Sequence, residues 1–151
     1  HPGEFGFHVS IDNPAGARQI TTHLIELGHR RIAYIGDRFG LHSDTERCDG
    51  YRQSLLSAGL AYDPALVAYG DGGSEAALGA MRQLLDLSDP PTAVFCYNDM
   101  QAFGALRAAR ERGLRVPGDV SIAGFDDLFA GNQNGLVPEP REFDDPVPFS
   151  F

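Results

Sequence analysis

The stretch Asn13–Asp37, NPAGARQITTHLIELGHRRIAYIGD, carries a helix, a stop and a strand in succession, and its reading decides the fold. Asn13 is a capping residue type, and Pro14 suits the first helical position, where its missing N–H is not needed. Ala17, Ile20, Leu24 and Leu27 then recur on one face until Gly28 ends the pattern, which predicts a helix covering a core with that face. Arg31–Gly36 (RIAYIG) switches to a short apolar run closed by glycine, the mark of a buried strand.

Outward from there the same unit repeats. Ser43 and Glu46 have the spacing of a capping box and predict a second helix that ends at Gly59. Ala65–Gly70 (ALVAYG) reads as a second strand. Ser74 caps a third helix whose apolar face is Leu78, Met81, Leu84 and Leu85, and Asp89-Pro90-Pro91 stops it. Thr92–Tyr97 (TAVFCY) is a third strand, followed by a helix from Asp99 with Ala102, Phe103, Leu106 and Ala109 turned inward and Gly113 at its end. Val120–Phe125 (VSIAGF) is the fourth strand. Strands alternating with helices at this spacing predict an α/β fold, a doubly wound parallel sheet with helices on both faces. Residues 1–8 (HPGEFGFH) carry no period and read as an N-terminal remnant without a role. Residues 131–151 are proline-rich and aperiodic, which predicts an irregular tail.

At 151 residues the chain has room for one ordinary core. A hydrophobic fraction of 42% with 22% charged residues argues against disorder, and no apolar run approaches the ~20 residues of a membrane-spanning helix. A net charge of −9 opposes nucleic-acid binding through this surface, because phosphate binding needs clustered cations. The basic residues are all arginine, which excludes a Walker phosphate loop and Schiff-base chemistry. Cys48 and Cys96 are too few for a disulfide framework and point to a reducing compartment. No signal sequence is legible at the N-terminus.

In an open parallel sheet, ligands sit beyond the carboxyl ends of the strands. That rule selects Gly36-Asp37-Arg38, Gly70-Asp71-Gly72-Gly73, Asn98-Asp99 and Asp126-Asp127, with Arg47 projecting from the second helix toward the same rim. A guanidinium, a carboxamide and carboxylates make paired hydrogen bonds to the adjacent hydroxyls of a polyol. No nucleophile stands beside a base, so the expectation is a binding site with no catalytic residue, no cofactor and no metal. Each residue also has a plainer reading. Asn98 or Asp99 caps a helix, Asp126 and Asp127 cap a following one, Arg47 pairs with Asp44 or Asp49 at the surface, and Asp71 serves its turn. His23 and His29 flank the end of the first helix, where a cation suits the dipole, and no histidine pair has metal-ligand spacing.

Five segments in order carry a resemblance: Asp12-Asn13 with Gly16-Ala17, LGHRRIAYIGD (27–37), Arg47 with Gly50-Tyr51, PTAVFCYNDMQAFGAL (91–106) and GLRVPGDVSIAGFDD (113–127). Together they resemble the lactose/galactose repressor (LacI/GalR) family of bacterial transcription regulators, over about residues 9–130. The resemblance implies the C-terminal subdomain of an effector-binding domain built from two periplasmic-binding-protein-like, flavodoxin-like halves. It also implies a sugar or related small metabolite held between those halves, with Arg47, Asn98 and Asp126 at the positions of effector contacts. Asp71 joins them from the strand-end argument alone. Further implications are a cytoplasmic homodimer without membrane attachment, and operator DNA bound only through a helix-turn-helix that this sequence does not contain. Two departures stand out. Gly72 occupies a position where the family often has a large aromatic, and the segment after Phe129 does not resemble the family's return crossing.

Two other classes compete. A periplasmic sugar-binding protein of a transporter shares the fold, but LGHRRIAYIG and VPGDVSIAGFDD read more like the regulators. A receiver-like enzyme holding magnesium would need a lysine and paired acids at the end of the first strand, and the sequence shows neither.

Overall fold

A computed structural model describes residues 12–125 of the chain. The N-terminal remnant, the tail at 131–151, and Asp126 and Asp127 lie outside the described residues. Within them the elements are α1 (Asn13–Glu26), β1 (Ile32–Asp37), α2 (His42–Ser57), a 3-10 turn (Pro64–Leu66), β2 (Val67–Gly70), α3 (Ser74–Leu85), β3 (Ala93–Cys96), α4 (Asp99–Glu111) and β4 (Ser121–Ala123). The strands form one parallel sheet in the order β2-β1-β3-β4. Tyr34 stands opposite Val67, Ile32 opposite Ala93, and Ala93 opposite Ser121.

Both faces of the sheet are covered, so the strands are apolar throughout rather than alternating with polar residues. The two-residue period survives in which core each side chain enters. Ile32, Tyr34, Val67, Phe95 and Ala123 point to the layer of α1 and α2, with Ile20, Leu24, Tyr51 and Phe125. Ala33, Ile35, Ala68, Val94, Cys96 and Ile122 point to the layer of α3 and α4. The first core is aromatic: the Tyr34 ring stacks on Tyr51 at 5.4 Å and meets Phe95 edge-on at 5.2 Å. The second is rich in alanine, with Ala80, Ala102, Ala105, Ala108 and Ala109 buried, and this lets α3 and α4 approach closely.

Several helix starts differ from the sequence expectation. The cap of α1 is Asp12, whose Oδ1 accepts from Ala15 N–H at 3.0 Å, and this frees the Asn13 amide for a contact described below. Leu41 and Gly73, not Ser43 and Ser74, precede α2 and α3, and neither makes a side-chain cap bond. The Ser43 hydroxyl instead reaches the Tyr97 hydroxyl at 2.6 Å, and Glu46 binds Asn13, so tertiary partners have claimed both members of the expected box. Leu27, expected on the buried face, caps the end of α1 and is 54% exposed, while Leu85 and Phe103 are only half-buried. The expected second strand is shorter because Asp63 accepts from Ala65 N–H and turns Pro64–Leu66 into a 3-10 helix.

His29 is not a helix-dipole cation. Its Nδ1 lies 2.9 Å from the Thr92 hydroxyl and its Nε2 3.0 Å from the Ser121 hydroxyl, which ties the turn before β1 to the starts of β3 and β4. Desolvation lowers its pKa below the ordinary 6.5. The folded form therefore holds the proton less tightly than the unfolded chain, so stability rises with pH between the lowered value and 6.5 and is lost as pH falls through that window. Melting temperatures of the wild type and His29→Gln between pH 5 and 7.5 should show a steeper acid loss in the wild type. Parallel slopes would contradict this placement of the imidazole.

Candidate functional site

The order β2-β1-β3-β4 makes the gap between β1 and β3 the switch point of the sheet. From β1 the chain leaves through α2 on one face, and from β3 it leaves through α4 on the other, which opens a crevice at their carboxyl ends. Arg47 and Asn98 come from the elements on either side of it.

Arg47, in the second turn of α2, is only 4% exposed, so the reading of it as a surface partner of Asp44 or Asp49 fails. Its Nε donates to Asn13 Oδ1 at 2.9 Å and its Nη1 donates to the Tyr97 carbonyl at 2.6 Å. The guanidinium carbon sits 3.7 Å from the Phe125 ring centroid and 4.5 Å from that of Tyr97. A desolvated cation between two rings contributes about 2 kcal/mol or more. The plane and direction of the guanidinium are thus set by α1, β3 and the end of β4.

Asn98 begins α4 as its cap. Oδ1 accepts from Gln101 N–H at 2.8 Å, and Nδ2 donates to the Gly72 carbonyl at 3.1 Å, which fastens the β3–α4 turn to the β2–α3 loop. The capping reading is therefore correct, yet each end of the amide retains a second hydrogen-bonding position. Asp71 closes its own turn, accepting from Gly73 N–H at 2.9 Å, and lies 3.7 Å from the Arg38 guanidinium. The turn reading holds for it as well.

Four residues of the site escaped sequence reasoning. Asn13 joins Glu46, to which its Nδ2 donates at 2.9 Å, with Arg47. Tyr97 supplies both a ring and a carbonyl to Arg47. Gln101 is fully buried and spans the switch point: its Oε1 accepts from Tyr97 N–H at 3.1 Å and its Nε2 donates to the Gly36 carbonyl at 3.1 Å. The Asn-x-x-Gln spacing of 98 and 101 was a legible signal for it. Asp44 is the fourth. It is buried, accepts from the Tyr34 hydroxyl at 2.6 Å, and brings a second acid to the end of β1 beside Asp37.

The sequence shows no paired acids at the end of the first strand, and the structure corrects that point: Asp37 and Asp44 stand together there. Burial raises the Asp44 pKa above 3.8, opposed by hydrogen bonds from Tyr34 and the Asp37 backbone. Desolvation and Asp44 push the Tyr34 phenol well up. Asp37 Oδ2 accepts from Phe39 N–H at 3.1 Å, so these acids are spent on holding the loop after β1. Among the described residues no three histidine, cysteine, aspartate or glutamate side chains gather around a metal position. Burial pushes the Cys48 thiol up to about 11 and raises Cys96 further, which makes both poor thiolates. A separate groove of about 830 Å³ runs along α1 and α2, lined by residues such as Arg18, Thr22, Ser54 and Ala58, and none of the rim residues reaches it.

A doubly wound sheet with planar hydrogen-bonding groups at its switch point is the frame of a small-molecule-binding domain. The family model of the periplasmic binding protein-like domain matches residues 21–134, and the chain belongs to that family. Transcriptional regulators are among the relatives it matches. It is 47% identical over 126 residues to the regulator CelR of Thermobifida fusca, covering 83% of this chain and 37% of that protein. It is 46% identical over 120 residues to the repressor CytR of Escherichia coli K12, covering 80% and 35%. Among solved structures, a CelR–cellobiose complex superposes with a TM-score of 0.75 at 45% identity, covering 83% of this chain and 39% of that one. A LacI-family regulatory protein from Chloroflexus aggregans superposes at 0.76 with 39% identity, covering 82% and 45%. The chain spans little more than a third of the length of these curated relatives.

Proposed function

We propose that this chain is the effector-binding half-domain of a LacI/GalR-type transcriptional regulator, with residues 9–130 forming its C-terminal subdomain. The effector is a sugar or a related polyol held at the switch point. Arg47, Asn98 and Asp126 contact it directly, and Asp71 stands at the margin. The observation that carries this reading is the Arg47 guanidinium, buried yet pinned by Asn13, the Tyr97 carbonyl and two rings at the mouth of the crevice. A guanidinium whose plane is fixed at the strand ends suits a ligand rich in acceptors.

The site binds and does not catalyse, and no cofactor takes part. In the intact protein the effector favours one arrangement of the two halves, and this shifts the population competent for operator DNA, which a helix-turn-helix elsewhere in the protein binds. The protein works as a cytoplasmic homodimer; no described helix is long and apolar enough to cross a membrane. The transporter reading is weaker because the relatives on which sequence and structure agree are regulators.

The test is a thermal-shift panel of mono- and disaccharides against the intact regulator, with operator binding measured alongside. A sugar that raises the melting temperature and changes operator affinity is the expected result. Asp126→Ala should abolish that response and leave sugar-free operator affinity within about twofold, a difference below ~0.5 kcal/mol. A normal response in this variant would remove Asp126 from the site.

A further inference from the structure

The rim does not end at Asn98. Its amide nitrogen reaches the Gly72 carbonyl at 3.1 Å. Gly72 has φ +89°, and a Cβ built on it would meet only Asn98 Nδ2, at 3.8 Å, so the floor beside Asn98 is open. One residue back, a step of ~3.8 Å between Cα atoms, Asp71 lies 3.7 Å from the Arg38 guanidinium. That guanidinium sits 5.3 Å from the centroid of the Phe39 ring. Phe39 is 67% exposed, the most exposed large apolar side chain described, and it is held at the rim by its N–H bond to the buried Asp37. Arg38 N–H in turn donates to the Gly70 carbonyl at 2.9 Å, which fixes the loop after β1 against the loop after β2.

A flat ring, a guanidinium and a carboxylate, all solvent-facing and braced by backbone bonds, form a second recognition surface that adjoins the first across a low glycine bridge. We infer that Phe39, Arg38 and Asp71 form an outer subsite for the second ring of a disaccharide or longer glycan, with Phe39 as the stacking platform. The apolar C–H face of a pyranose covers the ring, and Arg38 and Asp71 donate to and accept from its equatorial hydroxyls. This deepens the proposed function and rests on it, because the first ring must occupy the Arg47–Asn98 end.

The test measures binding of glucose and cellobiose to the intact regulator by titration calorimetry, for the wild type, Phe39→Ala, Phe39→Trp and Asp71→Asn. Asp71→Asn keeps an acceptor for the Gly73 turn and removes the charge facing Arg38. Phe39→Ala should weaken cellobiose binding about tenfold, the loss of one aromatic anchor, and leave glucose unchanged, while Phe39→Trp retains the disaccharide. Equal losses for both sugars would show that Phe39 acts through closure against the other half of the domain and would overturn the subsite. Cellobiose binding unaffected by Phe39→Ala overturns it too and leaves the Arg47 site standing. A wild type that binds neither sugar, nor any other saccharide of the panel, overturns both the subsite and the sugar reading.

Discussion

Arg47→Ala is expected to abolish the effector response of the intact regulator, weakening effector binding at least ~100-fold, about 2.7 kcal/mol or more. The size follows from what the guanidinium does. It meets Asn13 Oδ1 and the buried Tyr97 carbonyl, and its removal leaves both acceptors unpaired beside two rings that have lost their cation. Truncating one member of a buried charged hydrogen-bonded set costs ~2–5 kcal/mol, so part of the loss will appear as a lower melting temperature. Arg47→Lys separates the two effects. It keeps the charge, but an ammonium cannot stack flat between Phe125 and Tyr97 while bonding Asn13 and the carbonyl. Its melting temperature should recover most of the way, while effector affinity recovers little. Asn13→Ala removes the aim and keeps the cation, and should fall between wild type and Arg47→Lys in affinity. Calorimetry for the effector, circular dichroism for the fold and anisotropy for operator binding read the three quantities. Effector affinity within twofold of wild type in Arg47→Ala would end the site assignment.

The largest effect on stability is expected from a single methyl group. In Gly104→Ala the added Cβ would lie well inside contact distance of the Ser74 carbonyl, 2.9 Å from Leu78 N and 3.0 Å from Ala77 Cβ. These are backbone and first-turn atoms of α3, and no flexible side-chain end can swing away. The helices must separate, which disturbs the alanine-rich core beneath them, and the cost should reach ~3 kcal/mol, the upper end for overpacking. Gly79→Ala is the control. It lies in α3 with nothing within 4 Å of the added atom, so it should stabilise by ~0.5–1 kcal/mol through helix propensity alone. Urea denaturation of the two variants should give shifts of opposite sign. Equal, small shifts would mean that α3 and α4 are not in contact at Gly104.

The succession of elements was legible because each has its own period and its own stop. Gly28, Gly59 and Gly113 all adopt positive φ at helix ends, and the apolar runs at RIAYIG, ALVAYG, TAVFCY and VSIAGF each contain a strand. The strand-end rule placed Arg47, Asn98 and Asp71 on the rim with no knowledge of strand order. Local pattern failed at helix N-termini. Asn13, Ser43 and Glu46 all read as caps, yet each is claimed by a partner on another element. A capping side chain has one local choice worth about 1 kcal/mol, and a better-placed tertiary partner outbids it. His29 failed in the same way, since nothing near it in the chain announces Thr92 and Ser121.

From its amino acids alone the chain declared a doubly wound α/β layer, an acidic net charge, and planar polar groups collected at the strand ends. These rest on periodicity and charge, which are properties of neighbours in the chain. Only the tertiary structure decided that β1 and β3 stand side by side with their helices on opposite faces. It alone placed Arg47 between Tyr97 and Phe125 and opened the rim past Gly72 to Phe39. Those contacts join residues far apart in sequence, and their geometry is set by strand order and layer packing, which no local propensity encodes.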